Sequence, residues 1–276
     1  MGFWTRVRLP SAPSQKSMRY YVVSSIFHFP FTEFSMLHGT MRTNKASGTG
    51  GFFMQFRHEW KHEINFSDML ILRSRLVAVA KRDSHAKGGS YKIRSLYFDT
   101  AGDTALREKI DGVNIREKFR IRYYNDDTSY ITLEKKSKIN GLCQKESTVI
   151  TKEQAKAIVD GDYSFMMESG QPLLQELYTK MRKQGLRPKT IVDYMREPFV
   201  YGPGNVRVTM DYGIRTGLHC TDFLDQNSIT IPAGNAPIIL EVKWDAFLPD
   251  IIRDAVGLKD RRATAFSKYA ACRIYG

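Results

Sequence analysis

The chain has 276 residues, 42% hydrophobic and 26% charged, which fits one large globular domain or two small ones and excludes a disordered chain, a collagen-like repeat and a disulfide-rich miniprotein. Lys and Arg total 42 against 29 Asp and Glu, giving a net charge of +13 and an isoelectric point near 9.6. That excess points to a polyanionic partner, such as nucleic acid, an anionic membrane surface or phosphates, but a generally basic soluble protein has the same total. The arrangement of the charges has to decide.

Cys143, Cys220 and Cys272 are far apart and form no CxxC pair, which predicts a reducing, cytoplasmic location. His58 and His62 have helical metal-ligand spacing, but their segment reads as a strand, where they share a face with Phe56, Trp60 and Ile64. No run of eighteen apolar residues predicts a transmembrane helix. The apolar stretch from Tyr20 to Phe34 is interrupted by His28, Pro30 and Glu33 and makes a poor signal peptide. Residues 1–53 carry six basic residues and one acidic residue and end in a Gly/Ser/Thr linker. They are expected to be a basic, disordered extension, or an over-called start with Met54 as the natural first residue. Residues 54–276 are expected to form one domain, with no internal repeat.

From Gln55 to Ile64 apolar and charged residues alternate, predicting a strand with Arg57, Glu59, Lys61 and Glu63 on one face. Ser67 and Asp68 cap a predicted helix that runs to about Ala80. Tyr91 to Asp99 predicts a second strand, followed by a turn or short helix that stops at Asp111-Gly112. In Val113 to Tyr124, Arg116, Lys118, Arg120 and Arg122 fall on one face and Val113, Ile115, Phe119 and Ile121 on the other. Tyr130 to Lys138 places Glu134, Lys136 and Lys138 together, and Asn140-Gly141 predicts a hairpin into Leu142 to Val149. Helices are predicted over 151–160, with a capping box at Thr151 and Gln154, and over 172–184, stopped by Gly185. Strands follow at 190–200, 205–212 and 238–244, and helices at 250–258 and 261–272.

Four cations on one strand face stand about 7 Å apart in turn, and each neighbouring pair repels by roughly 2 kcal/mol at an effective dielectric near 20. A solvated face would relieve this. The other strands share the habit, however: Arg207, Thr209 and Asp211 alternate with Val206, Val208 and Met210, and Glu241 and Lys243 with Leu240 and Val242. About four helices are available to cover apolar faces from outside. The charged faces could then point inward, in a closed antiparallel barrel with a polar lumen suited to phosphates and a divalent metal.

The ordered segments Arg57-His-Glu-Trp-Lys61, Ser95-Leu-Tyr-Phe-Asp99, Arg116-Glu-Lys-Phe-Arg-Ile-Arg122, Leu133-Glu-Lys-Lys136, Gln144-Lys-Glu146, Tyr194-x-Arg196, Val206-Arg-Val-Thr-Met-Asp211, Leu240-Glu-Val-Lys243 and Ser267-Lys-Tyr269 resemble the VTC domain. This is the polyphosphate polymerase domain of the vacuolar transporter chaperone family, among the CYTH-like triphosphate tunnel metalloenzymes. The resemblance runs from about Met54 to Tyr269. It implies an α+β fold: a closed antiparallel eight-stranded β tunnel barrel with a polar lumen and helices on its outer face. It also implies transfer of the terminal phosphate of ATP to polyphosphate with manganese or magnesium.

By the same resemblance Lys61, Arg120, Arg122 and Lys268 would be catalytic, Lys136, Lys145, Arg196 and Arg207 would bind substrate phosphates, and Glu241 would bind the metal. Arg57 and Lys118 join the phosphate-binding set through their strand faces. Glu59, Glu134 and Asp211 would support, by buttressing an arginine or facing the metal. The expected partners are ATP and polyphosphate, with no specific nucleic acid and at most a peripheral membrane association. Alternatives are a tunnel triphosphatase acting on tripolyphosphate or a nucleoside triphosphate, or a non-catalytic polyphosphate-binding module. Nucleic-acid binding is disfavoured because the aromatic residues fall on the apolar strand faces, where they cannot interleave with the basic ones.

Overall fold

A computed structural model of the protein describes residues 57–139, 142–259, 261 and 263–274. The predicted extension and the Asn140-Gly141 turn lie outside them. In chain order the elements are β1 (His58–Ile64), α1 (Phe66–Val79), β2 (Lys81–Arg82), β3 (Tyr91–Asp99), α2 (Thr104–Ile110), β4 (Ile115–Tyr124), β5 (Asp127–Ile139) and β6 (Leu142–Ile150). Then come α3 (Lys152–Asp160), α4 (Phe165–Glu168), α5 (Pro172–Gln184), β7 (Arg187–Tyr201), β8 (Val206–Thr216), β9 (Ile231–Pro232), β10 (Ile238–Trp244), α6 (Asp250–Val256) and α7 (Lys268–Cys272).

Local chemistry sets the boundaries. Asn65 and Asp68 exchange side-chain and backbone hydrogen bonds in a capping box, so α1 starts at Asn65 rather than at the predicted Ser67-Asp68. Thr151 and Gln154 form the predicted box at α3. Pro172 opens α5, and Gly185 closes it in the left-handed region (φ 70°). Asn125 and Asp126 turn β4 into β5 at φ 51° and 59°, a region Asn and Asp tolerate. The helix predicted over 261–272 contracts to α7, and α4, β2 and β9 are additional to the predicted elements.

All strands belong to one antiparallel sheet in the order β1-β10-β8-β7-β3-β4-β5-β6, with β2 added on β7 and β9 on β8. The sheet curls, with its apolar face outward. Phe119, Ile121, Ile131 and Leu133 pack beneath Ile158 of α3 and Leu174 and Leu177 of α5. Val208, Met210, Leu240 and Val242 pack beneath Met69, Leu72 and Leu76 of α1 and Ile252 of α6. The predicted outer helical cover is therefore present. On the concave side Tyr269 of α7 stacks on Tyr97 of β3 at 5.1 Å, and its hydroxyl donates to buried Asp99 at 2.5 Å. A helix on the inside was not predicted.

Closure is the main correction. β1 and β6 are the two ends of the strand order and share no ladder, so the eight strands make a curled open sheet rather than a closed barrel. The seam is spanned by side chains, with Glu59 of β1 holding Lys136 of β5 at 3.7 Å.

On the convex side Lys135 lies between Glu176 of α5 (2.6 Å), Glu146 (3.5 Å) and Glu117 (3.7 Å), pinning the helix to the sheet. Burial would lower this lysine; the three carboxylates outweigh burial and raise it. Lys135→Met should therefore lower unfolding free energy in urea by about 2 kcal/mol, between the cost of losing an exposed pair and of breaking a buried one.

Candidate active site

The alternation read in the sequence places Lys118, Arg120 and Arg122 of β4 on the concave face. Register sets Arg120 opposite Glu134 of β5 and Lys136 opposite Lys145 of β6. Arg120 donates through Nε (2.8 Å) and Nη2 (2.6 Å) to Glu134 Oε2, and through Nη1 to the Tyr97 hydroxyl at 2.7 Å. Arg122 Nη1 lies 3.6 Å from the same carboxylate oxygen, and Lys145 Nζ lies 2.6 Å from the other. One buried carboxylate thus serves three cations. Burial would raise Glu134; Arg120, Arg122 and Lys145 hold it far below the usual carboxylate range.

A second cluster faces the first from β7, β8 and α7. Arg196 donates bidentately to Asp211 at 2.6 and 2.6 Å, and Lys268 reaches the same carboxylate at 2.5 Å. Tyr194 joins the clusters. Its hydroxyl accepts from Arg122 Nη2 at 3.0 Å, and Lys268 Nζ stands 4.7 Å from its ring centre. Burial would raise the Tyr194 phenol; Arg122, Arg196 and Lys268 lower it.

The third cluster belongs to β1 and β10. Lys61 donates to Glu59 and lies 3.9 Å from Glu241, while Lys243 lies 2.5 Å from Glu241 and 3.4 Å from Glu59. Burial would lower Lys61, but Glu241 and Glu59 raise it. Burial would raise Glu241, but Lys243 and Lys61 hold it well below the carboxylate range. A magnesium ion at phosphates typically keeps waters and uses one or two carboxylates plus phosphate oxygens. Glu241 and Glu59 are such a pair, and the Thr209 hydroxyl, at the register position opposite Glu241, is buried without a protein partner. Among the described residues no group of three His, Cys, Asp or Glu side chains could hold a metal alone. The donor set therefore fits an ion that arrives with a phosphate ligand.

Two lysines remain poorly balanced. Lys118 lies opposite Lys136, and the charged groups that act on it most strongly are cations. Burial first, then Lys136, Arg120, Lys61 and Lys268, push it well below the ordinary lysine value. Among the described residues Lys136 has a single ion pair, the 3.7 Å contact to Glu59, and it is lowered by burial and then by Lys61. Around Arg122, its own Nε, the Ser95 hydroxyl and the Thr132 hydroxyl are buried with no hydrogen-bond partner among the described residues.

The expected site residues are thus brought together on one face, with two exceptions. Arg57 stands at the rim, in an ion pair with Asp245 at 2.8 Å and donating to the Asn205 carbonyl. Arg207 stands at one end, bonded to Asp83 and the Tyr91 hydroxyl, both at 2.9 Å. Sequence reasoning missed Tyr97, Tyr194, Ser95, Thr132 and Lys243 as site residues. Tyr194 and Lys243 share strand parity with Arg196 and Glu241, a signal that would have found them.

Because Glu134 is depressed in the folded state, its contribution to stability is full above its unfolded value of about 4.3 and fades as pH falls through the folded value. Glu134→Gln should lower unfolding free energy by about 3 kcal/mol at pH 7. In urea titrations the gap from the parent should stay constant above about pH 5 and shrink below about pH 4.

The sequence matches the VTC domain over residues 56–274. No curated protein matches it. Among solved structures it is similar to the PH1012 protein of Pyrococcus horikoshii OT3, at 14% identity and a TM-score of 0.39, covering 74% of this chain and 92% of that one. It is similar to the PH1819 protein of the same organism at 13% identity and a TM-score of 0.37, covering 72% and 84%. A conserved hypothetical protein of Pyrococcus furiosus matches at 11% identity and a TM-score of 0.39, covering 74% and 92%. The VTC match spans every strand and helix described above, and the chain belongs to the VTC domain family.

Proposed function

We propose that the chain is a metal-dependent phosphotransferase of the polyphosphate polymerase type, which moves the terminal phosphate of ATP onto a polyphosphate chain and releases ADP. The observation that carries this reading is the surplus of cations on the concave face. Lys61, Lys118, Arg120, Arg122, Lys136, Lys145, Arg196, Lys243 and Lys268 converge there, and Glu59, Glu134, Asp211 and Glu241 are each shared by at least two of them. A row of phosphates supplies the missing negative charge.

In this reading an oxygen of the acceptor chain's terminal phosphate attacks the γ-phosphorus, and the bond to the β-phosphate oxygen breaks. The attacking oxygen is already ionised, so the protein needs no general base. Its work is positioning and charge stabilisation. Arg120 and Arg122, held by Glu134, and Arg196, held by Asp211, present guanidinium groups to the transferred phosphoryl group. Lys61 and Lys268 offset charge as it moves to the leaving oxygen, and Lys118, Lys136 and Lys145 hold the flanking phosphates. Manganese or magnesium, held by Glu241 with Glu59, would neutralise triphosphate oxygens and polarise the transferred group. ATP as donor assigns the reaction to the cytoplasm. Among the described residues no helix is long and apolar enough to cross a membrane.

Incubation of the protein with ATP and manganese should yield ADP in step with a polymer that stains as polyphosphate on gels. Orthophosphate without polymer would favour the tunnel triphosphatase, and binding without turnover a polyphosphate-binding module. Arg122→Ala should weaken tripolyphosphate binding about 100-fold in calorimetry with an unchanged circular dichroism spectrum. Loss of the folded spectrum would instead assign Arg122 to the fold.

A further inference from the structure

The segment between β2 and β3 crosses one end of the concave face. β2 pairs with Val200 and Phe199 near the end of β7, and Gly88 and Gly89 (φ 75° and 89°) bring the chain back toward Tyr91. Asp83, just after β2, is tied down by its backbone N–H, which donates to the Pro198 carbonyl at 3.2 Å. Its Oδ2 accepts from Arg207 Nη2 at 2.9 Å. Its Oδ1 is bonded to His85, through the backbone N–H at 3.0 Å and ring Nδ1 at 2.8 Å.

Three features separate this pair from the Arg120–Glu134 and Arg196–Asp211 pairs of the concave face. Glu134 and Asp211 come from the strand next to their arginine, at the directly opposite register position, whereas Asp83 comes from a loop. Arg120 and Arg196 each commit Nε and Nη2 to their carboxylate, whereas Arg207 commits one nitrogen and its buried Nε has no partner. The Arg207 side chain is 38% exposed, against 14% for Arg196 and 22% for Arg120. Nη2 carries the bonds to Asp83 and the Tyr91 hydroxyl, so this partly exposed guanidinium keeps donors that a turn of the side chain can offer to a phosphate oxygen pair. Burial would raise Asp83; the His85 hydrogen bonds and the Arg207 charge lower it, so it is ionised at neutral pH.

We propose that Asp83 competes with the incoming phosphate for Arg207, as a placeholder anion that sets the affinity threshold at this mouth. The inference rests on the reading of the concave face as a phosphate-binding site. A phosphate chain that takes both edges of the Arg207 fork must displace the Asp83 carboxylate, whose side chain turns away while its backbone stays bonded to the Pro198 carbonyl. A buttress such as Glu134 or Asp211 has the opposite effect, since its removal loosens the arginine that binds.

The test is calorimetric titration of the full chain with tripolyphosphate, for the parent, Asp83→Asn, Arg207→Gln and the double variant. Asp83→Asn should bind about fivefold tighter, the gain expected from removing a competing partly exposed ion pair. In the Arg207→Gln background the same change should have no effect. Weaker or unchanged binding by Asp83→Asn overturns the proposal, and weaker binding makes Asp83 a buttress. Failure of the parent to bind tripolyphosphate at all overturns the phosphate-site reading itself, a result distinct from a wrong sign at Asp83. Asp83→Ser, which has no amide to bond with Arg207, gives the same comparison if Asp83→Asn fails to fold.

Discussion

Arg120 and Arg122 stand on one strand face about 7 Å apart, and one carboxylate, that of Glu134, serves both. This is the constraint around which the structure is arranged: cations crowded on an inner surface with too few anions to neutralise them. The carboxylates on this face answer by taking several partners. Glu134 serves Arg120, Arg122 and Lys145, Asp211 serves Arg196 and Lys268, and Glu59 and Glu241 share Lys61 and Lys243. Tyrosines spread the load further. Tyr97 and Tyr194 accept from arginines through their hydroxyls and offer ring faces to Lys118 and Lys268. A phenol can accept without adding a negative charge that would repel a phosphate ligand.

The same constraint explains the layering. The concave face cannot be a hydrophobic core, so the apolar strand faces turn outward and the helices cover them. Two convex clusters result, one beneath α3 and α5 and one beneath α1 and α6. The third apolar cluster lies on the concave side, where Tyr269 and Cys272 of α7 pack with Tyr97, Val192 and Tyr194. That packing delivers Lys268 to Asp211 and Tyr194.

Much of this was legible in the sequence because strand parity is strict. Lys118, Arg120 and Arg122 could be assigned to one face from their spacing, and so could Glu134 with Lys136 and Arg207 with Asp211. Tyr91–Asp99, Pro172–Gln184 and Ile238–Trp244 match their predicted bounds, because Gly, Pro and turn residues flank them. What parity cannot provide is partnership across the sheet. That Glu134 belongs to Arg120 depends on β4–β5 register, and that Asp83 reaches Arg207 depends on a loop 124 residues away in sequence. Closure of the sheet was over-read for a related reason. Alternation fixes which way a side chain points but not whether the last strand meets the first. Arg57 shares the parity of Lys61 yet stands at the rim, because position along a strand decides depth and parity does not report it.

The central claim is that the concave face is a seat for a chain of phosphates. A crystal structure of the protein grown with tripolyphosphate and manganese tests it most directly. The account predicts tripolyphosphate density on the concave face between the Arg120–Arg122 and Arg196–Lys268 clusters, with manganese density near Glu241. Density confined to the convex surface, or a concave face that holds no phosphate at saturating ligand, would contradict it.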